Sequence, residues 1–296
     1  MAAPDYSERF GRNIGILTSE EQEQLRKSCV AVAGLGGIGG AALLCLARMG
    51  VGRFHLADLD HFDVANLNRQ VGANIHTFGR PKVDVMKEQI LAINPEIEVK
   101  TFTEGVQKHN VAAFVSGVGC VVDSIEYFTL SARELLHHEA RKQKIPAVFA
   151  APLGFSAVFL SVSPEGMSFH DYFDINDELD PFEKMLRFTV GLSPKALHLK
   201  YMEFKKERLV EIETGPSLAL SVNLGAALIG AEVICHLTKR RRPQTLPQYV
   251  QIDLLTQKHV RKKLLWGNRG FLQKLKIFYA RKKYADFKQL FLKFIN

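Results

Sequence analysis

The stretch Val30-Ala-Val-Ala-Gly34-Leu-Gly36-Gly37-Ile-Gly39-Gly40 most constrains how this chain can fold. A short apolar run reads as a buried parallel strand. It breaks into glycines and re-emerges as an apolar segment, Ala41 to Met49, with helical character. In a strand–turn–helix unit of this kind Gly34 allows the tight turn. Gly36, with Gly37 beside it, lets a ligand approach the backbone, and Gly39 lets the helix pack on the strand. The helix N-terminus then offers free N–H groups and a positive dipole end to an anion. The pattern predicts a nucleotide or dinucleotide cradle and does not choose between them.

The rest of the chain supplies the matching architecture. Strand patterns fall at 29–33, 53–58, 98–102, 119–123 and 147–150. Helical patterns separate them at about 81–93, 110–115 and 130–142. Alternation of this kind predicts an α/β fold, a Rossmann-like doubly wound and mostly parallel sheet. Runs at 157–163 and 249–255 predict an antiparallel extension. Four segments are expected: an N-terminal arm and helix (1–28), a nucleotide-binding core (29–152), a substrate or dimer region continuing the sheet (153–256), and a basic helical tail (257–296). Thr18 and Glu21 have capping-box spacing, so a helix should run from there to about Lys27. Residues 166–213 show no clear period. Leu218 to Leu237 approaches membrane-spanning length. Ser221, Asn223, Glu232, Gly225 and Gly230 within it favour a buried core or subunit-interface helix, with no transmembrane segment.

Chemistry-bearing residues follow the glycines in order. Asp58 ends the second strand, where an acid can bond ribose hydroxyls. The chain continues Asp58-Leu-Asp60, then Asn66-Leu-Asn68-Arg69-Gln70, then Arg80-Pro81-Lys82. A nicotinamide site has no use for an added arginine and lysine. A triphosphate does, because such cations offset the charge of a leaving pyrophosphate.

The set G-x-G-G-x-G, D-x-D, N-L-N-R-Q and R-P-K resembles the ThiF/MoeB/HesA superfamily of ubiquitin-activating-type adenylyltransferases. Arg9-Phe-Gly-Arg12-Asn13 resembles its N-terminal element, and Gly215-Pro216 and Tyr249–Thr256 extend the likeness more weakly. The resemblance implies ATP and Mg²⁺ as cofactors. It also implies transfer of AMP to a carboxylate, which in that family is often the C-terminus of a ubiquitin-like protein or a small peptide. By the same resemblance Asp58 would hold ribose, and Asn68, Arg69 and Lys82 would line the triphosphate. Arg12 would arrive from the partner of a homodimer. Gly34, Gly36, Gly37, Gly39, Asp60, Asn66, Gln70 and Asp123 are further candidate cofactor contacts. Glu126 stands where the family usually has a metal-binding Asp, and Tyr127 stands where it has a small polar residue. Glu126 is therefore the candidate metal ligand, one methylene further out. Either the exchange is tolerated, or the metal geometry changes and activity is weakened or lost.

Many relatives capture the acyl group on a cysteine after the fifth strand, and residues 151–217 contain none. The four cysteines, Cys29, Cys45, Cys120 and Cys235, form no C-x-x-C pair and fit reduced, buried thiols in a cytoplasmic protein. No internal thiol relay is expected. The His137-His138 pair is expected on a helix surface.

Charge is uneven. The chain carries a formal +8, yet residues 257–296 alone hold twelve Lys/Arg and one acid, Asp286. Apolar stripes run through this tail at Phe271, Leu275, Phe278 and Tyr279, and at Phe287, Leu290, Phe291 and Phe294. The stripes either pack on the body or leave a basic helix for an acidic partner, tRNA or other RNA, or an anionic membrane. Three alternatives to plain carboxylate activation stay open. They are an RNA-modifying enzyme like threonylcarbamoyladenosine dehydratase, a scaffold weakened through Glu126, and a nicotinamide or flavin enzyme.

Overall fold

The structure, a computed structural model, describes residues 5–202, 215–285 and 288. Its strands are β1 (Cys29–Ala33), β2 (Arg53–Ala57), β3 (Glu98–Phe102), β4 (Cys120–Asp123), β5 (Ala147–Leu153), β6 (Ser156–Val162), β7 (Gln248–Asp253) and β8 (Lys258–Lys263). They form one sheet in the order β3-β2-β1-β4-β5-β6-β7-β8. The first five are parallel, and β6, β7 and β8 extend the sheet antiparallel. The doubly wound sheet with its antiparallel extension is thus present. The junction expected at 152 falls inside β5, and the sheet runs through it.

Register places the site. Ala33 pairs with Ala57 on one side and with Asp123 on the other. The C-terminal ends of β2, β1 and β4 are therefore level. The strand order reverses between β1 and β4, the crevice where doubly wound sheets bind ligands.

The helices are α1 (Tyr6–Phe10), α2 (Ser19–Lys27), α3 (Gly37–Arg48), α4 (Lys82–Ile93), α5 (Val111–Val115), α6 (Leu130–Lys142), α7 (Phe169–Phe173), α8 (Pro181–Leu192), α9 (Ala219–Thr238) and α10 (Phe271–Lys283). Each side of β1 is buried, and its residues alternate between two cores. Val30 and Val32 pack with Leu43, Leu46, Met86 and Val222 beneath α3, α4 and α9. Ala31 and Ala33 face Phe114, Leu136, Phe149 and Phe173 beneath α5 to α8. Each fully buried Leu or Phe contributes roughly 1.5–3 kcal/mol through the area it removes from water.

α9 is long and apolar enough to cross a membrane. Its Val222, Ala226, Ile229 and Val233 are instead buried in the core. Glu232, buried on the same helix, pairs with Arg241 at 2.5 Å and accepts from the Gln244 amide at 2.7 Å. The core-helix expectation describes this packing.

Several details depart from the sequence reading. Residues 6–10, read as irregular, form a capped turn of helix with Asp5 as N-cap. α3 begins at Gly37, four residues before the expected start, because the glycines are needed inside the helix for close approach. α7 and α8 lie within the stretch without a period, whose end, 203–213, falls outside the described residues. β8 takes the front of the tail into the sheet as an edge strand.

The tail helix also corrects the packing alternative. Gln273 and Ile277 are the buried residues of α10, while Phe271, Leu275, Phe278 and Tyr279 are exposed. The stripe faces solvent because ion pairs and amide contacts fix the opposite side of α10 to α8. The second stripe, Phe287 to Phe294, lies outside the described residues.

Candidate active site

Four segments meet above the level ends of β2, β1 and β4: the glycine turn, the β2–α4 loop, the loop after β4 and the stretch before α9. Gly34 adopts φ +86°, and a Cβ there would stand 2.2 Å from the Ser124 carbonyl oxygen. A Cβ on Gly39 would stand 1.8 Å from the Gly34 carbonyl oxygen. These two positions seat the turn against the loop after β4, and only glycine fits. Gly36 caps α3 with no side chain, and Gly37 faces Val222 and the stem of Arg69.

Asp58 sits just past β2 and ties the turn down. Its Oδ2 accepts from the Leu35 amide at 2.5 Å, and its Oδ1 accepts from the Asp60 amide at 2.8 Å. Burial raises its pKa, with Lys82 and these two amides opposing. Each oxygen keeps a lone pair free for another donor.

Lys82 opens α4, with its side chain only 7% exposed, and its Nζ lies 3.0 Å from Asp60 Oδ2. Asp60 therefore fixes the lysine on the crevice wall. Arg69 lies beside Gly37. Its Nη1 donates to the Ala65 carbonyl and to Asn68 Oδ1, each at 2.9 Å. Among the described residues it has no carboxylate partner. Asn68 also donates to the Ser217 carbonyl at 2.9 Å, joining this loop to the segment before α9. Asn66 turns away from the ligand space, its side chain accepting from the Asp63 amide at 3.1 Å to cap its own 3₁₀ turn.

Three buried polar atoms here have no hydrogen-bond partner among the described residues: Gln70 Oε1, Ser124 Oγ and Ser217 Oγ. Gln70 faces Gly36, Ser124 faces Gly34 and Gly39, and Ser217 adjoins the Asn68 contact. Unsatisfied buried polar groups cost about 1–3 kcal/mol each, and native proteins keep few of them. Their grouping fits a polar ligand laid over the turn. The sequence reading named Gln70 and missed both serines.

Asp123 is not exposed to this space. Its Oδ2 accepts from Arg133 Nε at 2.7 Å and from His137 Nε2 at 3.0 Å, and its Oδ1 accepts from the Ile125 amide at 3.2 Å. Arg133 also donates to the Ile125 carbonyl. The role that emerges for Asp123 is to shape the loop carrying Ser124 and Glu126. His137, expected on a surface, is buried with its ring stacked on Phe169. No local pattern foretold this, since the partners lie ten and fourteen residues apart on another element.

Glu126 is exposed, and its carboxylate has no partner among the described residues. No group of three or more His, Cys, Asp and Glu is placed to hold a metal among those residues. A cation at Glu126 would thus be bound by one carboxylate with phosphate oxygens and water, a set that suits Mg²⁺. Tyr127 bonds Thr189 through its hydroxyl, and burial pushes its pKa up to about 12.

Arg12 does not join the group. It is exposed in a 3₁₀ turn whose next residue, Asn13, donates to Gln22 Oε1 at 3.0 Å and to the Met49 carbonyl at 3.4 Å. Met49 follows the C-terminal end of α3, whereas the glycine turn lies at its start. About 18 Å of helix separates those ends. The thiols are quiet: burial pushes the Cys29 pKa up to about 11 and raises those of Cys45, Cys120 and Cys235.

Comparisons with known proteins bear on the fold and the family. A tRNA threonylcarbamoyladenosine dehydratase of Bacillus subtilis (strain 168) is 40% identical over 141 residues, covering 47% of this chain and 55% of the relative. The heterocyst HesA protein of Trichormus variabilis is 34% identical over 163 residues, covering 54% and 60%. The chain thus spans little more than half the length of these curated relatives. Among solved structures, Escherichia coli MccB with ATP superposes with TM-score 0.64 at 22% identity, covering 88% of this chain and 74% of that one. PaaA superposes with TM-score 0.65 at 21% identity over the same shares. These structures share the fold. The ThiF family description matches residues 10–268, and the chain belongs to the ThiF family.

Proposed function

We propose that this chain binds Mg·ATP and transfers AMP to a substrate carboxylate, releasing pyrophosphate. The observation that carries the reading is the grouping of Arg69, which meets no carboxylate among the described residues, buried Lys82 and the α3 N-terminus around a glycine turn ringed by three polar atoms without partners among those residues. The set suits a polyanion far better than a nicotinamide ring. Family membership supports the reading, and so does a fold shared with a protein crystallised with ATP.

The chemistry asks little of acid–base groups. An ionised carboxylate oxygen attacks the α-phosphorus. The bond from that phosphorus to the bridging oxygen breaks, and pyrophosphate leaves with the electron pair. No proton need move. The residues must hold the reactants in line and offset charge on the leaving group. In this reading Asp58 accepts from ribose hydroxyls through its free lone pairs. The α3 N-terminus, Arg69 and Lys82 face phosphate oxygens. Glu126 would hold Mg²⁺, which when bound would offset charge on the phosphates. The chain has no thiol placed for a relay among its described residues, so the adenylate passes to an external nucleophile. Arg12, beyond the far end of α3 from its own glycine turn, serves a second copy, and the active form is a homodimer.

The test is thermal stabilisation by Mg·ATP beside NAD and FAD, in the parent chain and in Lys82→Ala. Ligand at a hundred times its Kd stabilises by about 2.7 kcal/mol. ATP should raise the melting temperature of the parent, and Lys82→Ala should remove most of that rise. A response to NAD or FAD with none to ATP sinks the proposal. In the same assay Glu126→Gln should keep the ATP response in EDTA and lose the increment added by Mg²⁺.

A second reading is favoured by the 40% match to a tRNA threonylcarbamoyladenosine dehydratase. The threonylcarbamoyl group carries a carboxyl, so the same first step would activate it on RNA. Salt-dependent affinity for tRNA would support this reading, and no affinity at low salt would remove it.

A further inference from the structure

α10 is an amphipathic helix mounted backwards. Its side facing the protein is mostly polar, with Ile277 the apolar residue buried there. Gln273 Nε2 donates to the Val190 carbonyl at 3.3 Å and to Asn268 Oδ1 at 3.1 Å, and Lys276 Nζ donates to the Pro194 carbonyl at 2.6 Å. Arg281 pairs with both oxygens of Glu183, at 3.0 and 2.6 Å. On the opposite side Phe271, Leu272, Leu275, Phe278 and Tyr279 point outward, between 41% and 80% exposed. Their spacing puts them on one helix face. Leu265 and Trp266, 64% and 73% exposed, lead into it. Single exposed apolar residues are ordinary, whereas a run of seven large ones on one surface marks a contact site.

The rim of this face is basic. Lys274 and Lys283 flank it on either side, Lys282 stands 4.5 Å from the Phe278 ring centre, and exposed Lys262 extends the charge from β8. None of the four pairs with a carboxylate among the described residues. A second copy of the chain would bring the same lysines against these. RNA could stack on the aromatics and meet the lysines with its phosphates, but it would leave exposed Leu265, Leu272 and Leu275 uncovered. Lys288 Nζ reaches Asp180 Oδ2 at 3.0 Å and lies over the Phe182 ring, away from this face. A surface with an apolar interior and anionic headgroups satisfies both halves of the face. Aromatics and leucines enter the headgroup–acyl boundary, and lysines snorkel to the phosphates.

We infer that the outward face of α10, with Leu265 and Trp266, docks the protein on an anionic membrane surface. The inference is independent of the nucleotide site. Trp266 is the only tryptophan in the chain, so its emission reports on the face directly. The full chain is titrated with phosphatidylglycerol–phosphatidylcholine vesicles, with pure phosphatidylcholine vesicles and with tRNA, and its mass is measured in solution. Anionic vesicles should shift the emission to the blue and carry the protein down on sedimentation, with neutral vesicles doing neither. Phe271→Asp/Leu272→Asp, both at exposed positions, should weaken vesicle binding about tenfold or more while keeping the parent melting temperature. Lys274→Glu/Lys283→Glu should weaken it and flatten its salt dependence. No spectral shift with anionic vesicles overturns the inference, as does equal binding by the aspartate variant. A response to tRNA alone assigns the face to RNA. A dimer mass that collapses in the aspartate variant assigns it to a second copy. Either result overturns the membrane assignment.

Discussion

Asp123 keeps its charge in a fully buried position because two partners reach it. Burial alone would raise its pKa, but Arg133 and His137 outweigh that and hold the carboxyl below the usual carboxylate range. For His137 the balance runs the other way. Burial lowers its pKa despite the pull of Asp123, so the ring is neutral and its Nε2–H donates to the carboxylate. Both folded-state values lie below the unfolded ones, and the unfolded chain takes up each proton first as pH falls. The stability contributed by His137 is complete above its ordinary value of about 6.5 and is lost below it. That of Asp123 is lost only further down, below about 4. The melting temperature should therefore drop as pH goes from 7 to 5, and more shallowly in His137→Gln, which keeps a donor but does not titrate. Equal slopes would mean that His137 is not the group responding. The slope that remains in the variant belongs to His55, His198 and His236, whose pKa values burial also lowers.

At the scale of elements, the contact between β1, α3 and the loop after β4 sets the crevice. Gly39 is where it is tightest, since a methyl group there would meet the Gly34 carbonyl and, at 2.9 Å, the Ser124 Cβ. Neither neighbour is a flexible side-chain end. Gly39→Ala should cost about 2 kcal/mol or more and reduce ATP stabilisation with it, as denaturant unfolding and the melting assay would show. A variant of parent stability would contradict the packing. This unit was legible in the sequence because its signals are local: an apolar strand, glycines at fixed spacing, an acid at the next strand end. α8 carried a local signal as well, with Asp180 as N-cap, Pro181 at the first position and Glu183 bonding through its amide to Asp180. It went unread among the mixed acids and aromatics around it. β8 carried none. Lys-His-Val-Arg-Lys-Lys has too few apolar residues to announce a strand, and only pairing with β7 makes it one.

Over the whole molecule, most candidate residues gather at one end of the sheet, and those that do were found from order along the chain. Gly34 and Asp58 each follow a strand and Lys82 opens a helix, positions that sequence pattern marks, while Arg69 lies in the loop between β2 and α4 and was found from the N-L-N-R-Q run. Asp123 and Ser124 stand at the end of β4, and Asp123 was named as a cofactor contact, but its pairing with Arg133 and His137 and the place of Ser217 depend on contacts across the fold and left no such mark. Arg12 stands apart, and its placement has a consequence for how activity divides among chains. In a homodimer each centre would be a mosaic: glycine turn, Arg69 and Lys82 from one chain, Arg12 from the other. Arg12→Ala and Lys82→Ala would each be inactive alone. Mixed and allowed to exchange, they would form hybrids in which one centre carries both defects and the other carries none. Half of the dimers would be hybrids at equal mixing, so about a quarter of parent activity should return. A mixture no more active than its components would mean that Arg12 serves the centre of its own chain, and full activity in Arg12→Ala alone would place it outside any centre.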